Sequence, residues 1–454
     1  MAEPIQATYK RIIICCDGTW LAANTGNGSA PSNVAKLARA VAPTGINVDG
    51  QLVKQVVLYL SGLGSTSLPV AMAIEGGLGW GLDLDVTEIY DFISNNYELG
   101  DELFFFGFSR GAFTVRSAVG LISSAGILSA VNMSYFHDMW LAYRRRTGSF
   151  QDTAWYHENS KKLKLTASQV PIKIVGVWET VGALGVPEWP GVKLLQKIGV
   201  PLNQEYAFHD TGLSNNIERA FQSLALDEKR ITFPPTMWHK TSDKQHLEQC
   251  WFPGVHANNG GQAEYPLRCS DRSELAANTL AWMIDNIGTA LTFENAALDM
   301  IVSEHSQALL QNGIPDGWGC GKIIDNFAGL QGAFFRLLGQ STRTPGGYSD
   351  TPGATNEFMH PIVRYRKEQV SSWKPPSLAG FHFEGPGNSS SKKIVWAKLG
   401  QKAMSEYVMS PAKTLAVSCV ADDGSWTFAE RSSLARQLCP LSVLEKLDGE
   451  AGMI

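Results

Sequence analysis

The 454-residue chain has little of what marks several large functional classes. Its seven cysteines, Cys15, Cys16, Cys250, Cys269, Cys320, Cys419 and Cys439, are odd in number and scattered, and no Cys-x-x-Cys pair occurs. That argues against a disulfide framework and against a cysteine-bound zinc. HExxH, a Cys/His cluster and an EF-hand loop are all missing, so no metal is expected. Gly26-Asn27-Gly28 and Gly76-Gly77-Leu78-Gly79 lack the Gly-Lys-Ser/Thr that closes a phosphate loop, and no cofactor is implied. No run approaches the roughly 20 apolar residues that span a bilayer. Met1-Ala2-Glu3-Pro4 is not followed by a basic and then an apolar stretch, so no secretory signal is expected. Charged residues are only 18% of the chain and the formal net charge is −5, which gives no electrostatic footprint for nucleic acid. The expectation is a cytoplasmic protein with no nucleic-acid partner and no transmembrane segment. Peripheral contact with a membrane and the oligomeric state stay open.

What is present is enough apolar sequence, 44%, to build a large core. Residues 11–16 (RIIICC) form a short apolar run that stops at Asp17-Gly18-Thr19, the pattern of a buried parallel strand entering a turn. Ser32 or Asn33 is placed to cap a helix carrying Val34, Leu37, Ala38 and Val41. A second strand is expected over 55–60, and Val86, Ile89, Tyr90, Ile93 and Tyr97 then mark one helix face. A third strand, 102–106, runs into Gly107-Phe108-Ser109-Arg110-Gly111 and a helix from about Ala112 to Leu121. Further strands are expected at 172–178, ending at Glu179, and near 249–255, ending at His256. Residues 130–170 read as helical, a long helix is expected from Leu275 to about Gln311, and 312–358 reads as loop. This alternation predicts an α/β-hydrolase-like, doubly wound, mostly parallel sheet with helices on both faces, plus insertions and a C-terminal extension. Every candidate polar group falls just past a strand's C-terminal end, where open α/β sheets bind ligands.

Gly-x-Ser-x-Gly between a strand and a helix is the pattern of a nucleophile elbow. The turn must be sharp, and glycine on both sides removes Cβ atoms that would clash. The helix N-terminus offers the backbone N–H of Arg110 to a developing oxyanion. A serine nucleophile needs a base. His256 follows Ser109 in the required order and precedes Asn258-Asn259-Gly260-Gly261, read as a sharp turn. His209, His239 and His246 sit in less regular surroundings. The third member should be a carboxylate that orients the imidazole. Glu179 ends an apolar strand and is preferred, with Asp227 the alternative. A second oxyanion donor is sought in the Gly18, Thr19 and Trp20 loop. Asp17 either lines that loop as a substrate-binding group or braces it by an Asx-type hydrogen bond.

Five segments together resemble a known family: Cys16-Asp17-Gly18-Thr19, Gly107-Phe108-Ser109-Arg110-Gly111-Ala112, Val177-Trp178-Glu179-Thr180-Val181-Gly182, Ala225-Leu226-Asp227-Glu228 and Trp251-Phe252-Pro253-Gly254-Val255-His256. The chain is similar to the type VI secretion phospholipase effector-like hydrolases over residues 11 to about 290. The resemblance implies a triad at Ser109, Glu179 and His256 and, in the bacterial effectors, phospholipid ester hydrolysis. Two departures stand out. The family usually has aspartate where this chain has Glu179. It also usually follows its histidine with serine, aspartate and a glycine run, where this chain has Ala257-Asn258-Asn259-Gly260-Gly261.

The expected organisation is a catalytic core over 1–295, with a cap near 185–215, and an extension over 296–454 packed on it. The expected function is hydrolysis of a small-molecule or lipid carboxylic ester through an acyl-enzyme on Ser109. The altered 256–261 segment and the 13 tryptophans keep acyl transfer, lactonisation or cyclisation as the alternative. A non-catalytic binding protein with this fold is the third reading, against which the intact Ser109 and His256 argue.

Overall fold

A computed structural model describes residues 5–18, 31–62, 77–165, 170–181, 212–261, 271–311, 317–328, 332, 335–337, 339–351, 353–385, 394–421 and 425–452, with backbone alone at 77–82, 271, 272 and 311. In chain order the strands are β1 (Gln6–Cys16), β2 (Thr44–Ile46), β3 (Leu52–Leu60), β4 (Glu102–Phe108), β5 (Ile172–Trp178), β6 (Ile217–Ala225), β7 (His246–Phe252), β8 (Thr292–Glu294), β9 (Glu357–Met359), β10 (His382–Glu384), β11 (Val395–Ala397), β12 (Met404–Glu406), β13 (Thr414–Val420) and β14 (Trp426–Ser432).

The large sheet has the order β10-β11-β12-β9-β7-β6-β5-β4-β1-β3-β2. The run from β12 to β3 is parallel throughout, and the antiparallel pairs lie at the two edges. Alternation along the strands explains how one sheet supports two cores. Ile12, Ile14 and Cys16 of β1, with Leu103 and Phe105 of β4, enter one buried cluster with Val86, Ile89 and Ile93. Ile13 and Cys15, with Phe104, Phe106 and Phe108, enter the other cluster with Val34, Leu37, Trp282 and Ile284. The first cluster is roofed by helices Gly77–Asn96, Arg110–Ala125 and Phe136–Arg145. The second lies under Asn33–Ala40 and Asp271–Ile287. Helices therefore cover both faces, as the continuous apolar runs require.

From β1 the chain crosses to β3 on one side, then returns to place β4 on the other. The topological switch point lies between β1 and β4, and the turn after β4 is the one that carries Ser109.

Several elements differ from the sequence expectation. β6 was not anticipated, because Glu218, Arg219, Gln222 and Ser223 interrupt its apolar pattern. β7 ends at Phe252, not next to His256. The elbow helix runs from Arg110 to Ala125, longer than expected at both ends. The expected long helix is two, Asp271–Ile287 and Asn295–Gln311. Gly288, at φ +61, ends the first of them, and β8 fills the gap. β8 pairs with β13, which pairs with β14, in a second, three-stranded sheet. The described part of residues 130–170 holds short helices, Phe136–Arg145 and Ala154–Asn159, with 3-10 segments at Ala130–Tyr135 and Phe150–Asp152. Arg144, first of the Arg144-Arg145-Arg146 run, pairs with Asp83 at 2.7 Å. Residues 312–358 contain the start of β9, and β9 to β12 extend the sheet that carries the elbow. The expected cap near 185–215 falls almost wholly outside the described residues.

The C-terminal part is tied down by a buried carboxylate. Asp285 accepts from Ser433 Oγ (2.5 Å), Leu434 N–H (2.7 Å) and Ala435 N–H (3.1 Å) and so satisfies the start of helix Leu434–Leu438 from outside it. Replacing it leaves buried donors without partners. Asp285→Ala is expected to lower unfolding stability by about 2–3 kcal/mol. A urea midpoint matching the native one, at unchanged slope, would refute this.

Candidate active site

Ser109 sits at φ 58, ψ −120, between the last residue of β4 and the first of helix Arg110–Ala125. Four non-glycine residues among those described have positive φ, and Ser109 and Glu179 (φ 49) are two of them. Such conformations cost energy and collect where a site must present a side chain. The two turns are laced together. Ser109 N–H donates to Trp178 O (3.0 Å), and Glu179 N–H donates to Ser223 O (3.0 Å).

The two glycines of the elbow are required sterically. A Cβ on Gly107 would lie 2.6 Å from Gly111 O. One on Gly111 would lie 2.2 Å from Cys16 O and 2.5 Å from Asp17 O. The first turn of the helix thus rests directly on the end of β1. Its opening N–H groups, Arg110 among them, have no acceptor within the helix.

His256 opens a short helix, His256–Gly260, where a sharp turn was expected. That helix presses on β4, since a Cβ on Gly260 would lie 2.1 Å from the Phe108 ring. The imidazole leans on Phe108 (ring centroids 4.7 Å apart) and meets Phe233 at 4.9 Å. Its Nδ1 lies 3.3 Å from Glu179 Oε2. A carboxylate at Nδ1 assigns the proton to that nitrogen and leaves Nε2 as the basic atom. Burial lowers the His256 pKa below its ordinary value, and Glu179 opposes that drop.

Glu179 has no solvent exposure. Burial works against its charge, but the Arg343 guanidinium, the His256 ring and the Ala225 N–H together hold its pKa below the ordinary value. Its Oε1 accepts from Ala225 N–H (2.7 Å), and its Oε2 from Arg343 Nη2 (2.8 Å). Asp227, the alternative acid, points elsewhere: it accepts from Gly254 N–H (2.7 Å) and Trp373 Nε1 (2.9 Å). His239 lies 3.4 Å from Tyr348 O and His246 pairs with Glu248, while His209 lies outside the described residues.

Asp17 acts as a brace. It accepts from Gly18 N–H (2.9 Å), Ser32 Oγ (2.6 Å) and Tyr59 Oη (2.7 Å), and Ser32 in turn caps helix Asn33–Ala40. Burial raises the Asp17 pKa against these three bonds. The Gly18 N–H is thereby committed to Asp17, and Thr19 and Trp20 lie outside the described residues. The Arg110 side chain is pushed down to about 10 by burial, with Asp85 opposing. Burial and then Glu88 push Asp85 up to about 7, with Arg110 opposing.

Sequence reasoning missed two residues. Glu228 accepts the His256 N–H (3.1 Å), Asn326 Nδ2 (2.9 Å) and a fork from Arg230 (2.9 Å at each oxygen). Its signal was the Glu-x-Arg spacing just past Asp227. Arg343 stands in a stretch read as loop, and nothing local marks it. Among the described residues no group of His, Cys, Asp and Glu could hold a metal.

The strand order, with a strand–serine–helix elbow at its switch point, is that of the α/β-hydrolase-like class. Residues 10–286 match the family model for the catalytic domain of the type VI secretion, Tle1-like phospholipase effectors, and the chain belongs to that family. Uncharacterized protein YEL023C of Saccharomyces cerevisiae is 26% identical over 244 residues, 49% of this chain and 32% of that protein. The Tle1 effector bound to the VgrG spike of the type VI secretion system aligns with a TM-score of 0.31 at 19% identity, over 57% of this chain and 52% of the other. An uncharacterized protein from Pseudomonas aeruginosa aligns with a TM-score of 0.39 at 15% identity, over 86% and 56%. The chain thus spans about a third of that yeast relative and about half of each of these structures.

The close contact at Gly111 carries a prediction. Because the atoms in the way are backbone, Gly111→Ala is expected to cost about 1–3 kcal/mol or more. Gly449→Ala, on a helix with nothing within 4 Å of the new Cβ, is expected to be neutral or stabilising. Equal denaturation midpoints for the two variants would overturn the packing argument.

Proposed function

We propose that the protein is a serine hydrolase that cleaves a carboxylic ester of the lipid class through an acyl-enzyme on Ser109. One observation carries the reading: the serine held at positive φ on the elbow, with a buried His256–Glu179 pair whose imidazole packs on Phe108, the residue before the serine. Membership of a phospholipase family supports the lipid class.

In this mechanism His256 Nε2 takes the proton of Ser109 as Oγ bonds to the ester carbonyl carbon. The carbonyl oxygen gains negative charge and is met by the Arg110 N–H at the start of the helix. The imidazolium, held by Glu179 at Nδ1, then gives its proton to the departing alkoxide as the ester C–O bond breaks. Water repeats the sequence on the acyl-enzyme and releases the acid.

The deciding experiment is labelling with a fluorophosphonate. The native protein is expected to label, and Ser109→Ala and His256→Ala are not. Labelling of Ser109→Ala at the native rate would place the nucleophile elsewhere, and a native protein that never labels would remove the hydrolase reading. A pH dependence follows from the lowered imidazole pKa. The ring stays neutral, and so basic, as pH falls through the ordinary histidine value of 6.5, and the labelling rate is lost only at lower pH. A half-maximal rate above 6.5 would contradict this assignment of His256.

A further inference from the structure

Arg343 lies well beyond the family-matched stretch that ends at residue 286, yet it touches the centre of the candidate site. It is only 3% exposed. Its Nη2 donates to Glu179 Oε2 (2.8 Å) and to Phe233 O (2.9 Å), while its Nη1 is buried without a hydrogen-bond partner. The segment that brings it is strapped down on both sides. Ser341 N–H donates to Lys229 O (2.9 Å), Gln340 bridges Arg230, and Gly346 N–H donates to Glu357 Oε2 (2.8 Å) at the start of β9. The strap therefore runs between the loop that follows β6 and the strand beside β7.

We propose that Arg343 is a positioning residue for the Ser109 reaction: its guanidinium keeps the Glu179 carboxylate ionised and turned toward His256 Nδ1. The inference rests on the hydrolase reading above. It adds that the C-terminal segment supplies part of the site.

The physical case starts from burial. A carboxylate with no solvent exposure loses its hydration and tends to take up a proton. Ala225 N–H and the neutral imidazole are both uncharged donors. Arg343 is the permanent charge beside Glu179, and it is closer than the ring, at 2.8 Å against 3.3 Å. A glutamate also has one more rotatable bond than an aspartate would have at this position. A guanidinium fixed at Phe233 O supplies the hold that the longer side chain needs.

The other charged groups facing the imidazole are Glu228 and Arg230, in the loop after β6. They are forked to each other at 2.9 Å, so their effects on the ring oppose one another. Removing the Arg343 charge moves two equilibria the same way. Glu179 binds a proton more readily and, once protonated, no longer stabilises imidazolium. Where it stays ionised, its unshared charge makes the ring bind a proton more readily. Either route lifts the pH below which the working pair, ionised Glu179 with neutral His256, is lost.

The test is the fluorophosphonate labelling rate of the full chain against pH, for native protein, Arg343→Gln and Arg343→Lys, with thermal melts alongside. For folded Arg343→Gln the acidic limb is expected to move up by about one pH unit or more. Arg343→Lys keeps the charge without the planar guanidinium, and its limb is expected to fall between the other two. A native protein that fails to label overturns the hydrolase reading, and this inference with it. A native protein that labels while a folded Arg343→Gln shares its limb overturns the inference alone. Should Arg343→Gln melt below the assay temperature, Arg343→Lys decides: a limb above the native one supports the proposal, and a limb on it refutes the proposal.

Discussion

The first turn of helix Arg110–Ala125 lies so close to the end of β1 that no side chain fits between them. Gly111 meets the Cys16 and Asp17 carbonyls there, and Gly107 meets Gly111 in turn. Once these backbones touch, the chain leaving β4 has little freedom, and Ser109 is forced to φ 58. The same contact fixes where β1 ends, and so where Asp17 can reach Ser32 and Tyr59. β5 follows through the Ser109–Trp178 backbone bond, and Glu179 follows β5. Removal of two Cβ atoms thus sets the geometry of the whole strand-end edge.

Within that frame, three buried carboxylates, each just past a strand's C-terminal end, behave differently because their partners differ. Asp17 is held by two hydroxyls and an N–H, all neutral, and burial prevails, so its proton affinity rises. Glu179 and Glu228 are as deeply buried, but each has an arginine, Arg343 and Arg230, and each is held below its ordinary pKa. Charge pairing, not burial, separates the carboxyl that braces a loop from the two that bear on His256. A buried carboxylate with a guanidinium is fragile in one sense: losing either partner strands the other charge.

Much of this was legible in the chain itself. The runs at 11–16, 102–106 and 172–178 announce strands covered on both faces, and their polar ends put Asp17, Ser109 and Glu179 on one edge. Glu179 is recognisable because it ends such a run. β6 was hidden because its exposed end carries Glu218 and Arg219 and its buried end carries Gln222 and Ser223. Glu218 pairs with Lys173 of β5, Arg219 donates to Asn286 O at a helix end, Gln222 to Thr236 O and Ser223 to the Asn259 side chain, and periodicity does not register that kind of satisfaction. Missing β6 also hid the fact that Asp227 lies past a strand end, though its partners proved to be Gly254 and Trp373. Arg343 was invisible for a different reason. Its position depends on a strap formed by long-range backbone bonds to residues 229 and 230, and no local pattern encodes those.

The departure from the family at Asn258 has a structural account. Its Oδ1 accepts from Val255 N–H (3.2 Å) and Ile324 N–H (3.1 Å), while its Nδ2 donates to Lys322 O (3.3 Å). A carboxylate can accept the first two bonds but cannot make the third. Placed there, it would also add a buried negative charge to a helix whose opening N–H already belongs to Glu228. Asn259 does comparable work: its side chain bonds Ser223 of β6, and its carbonyl accepts from Asn33 and Thr279. These amides join the His256 helix to β6, to helix Asn33–Ala40, to helix Asp271–Ile287 and to the 322–324 segment. Asn258 uses both ends of its amide inside the protein, and Asn259 its side-chain oxygen, while Asn259 Nδ2 is buried without a hydrogen-bond partner. The amide at Asn258 thus anchors the helix that carries His256 through bonds that a carboxylate could make only in part.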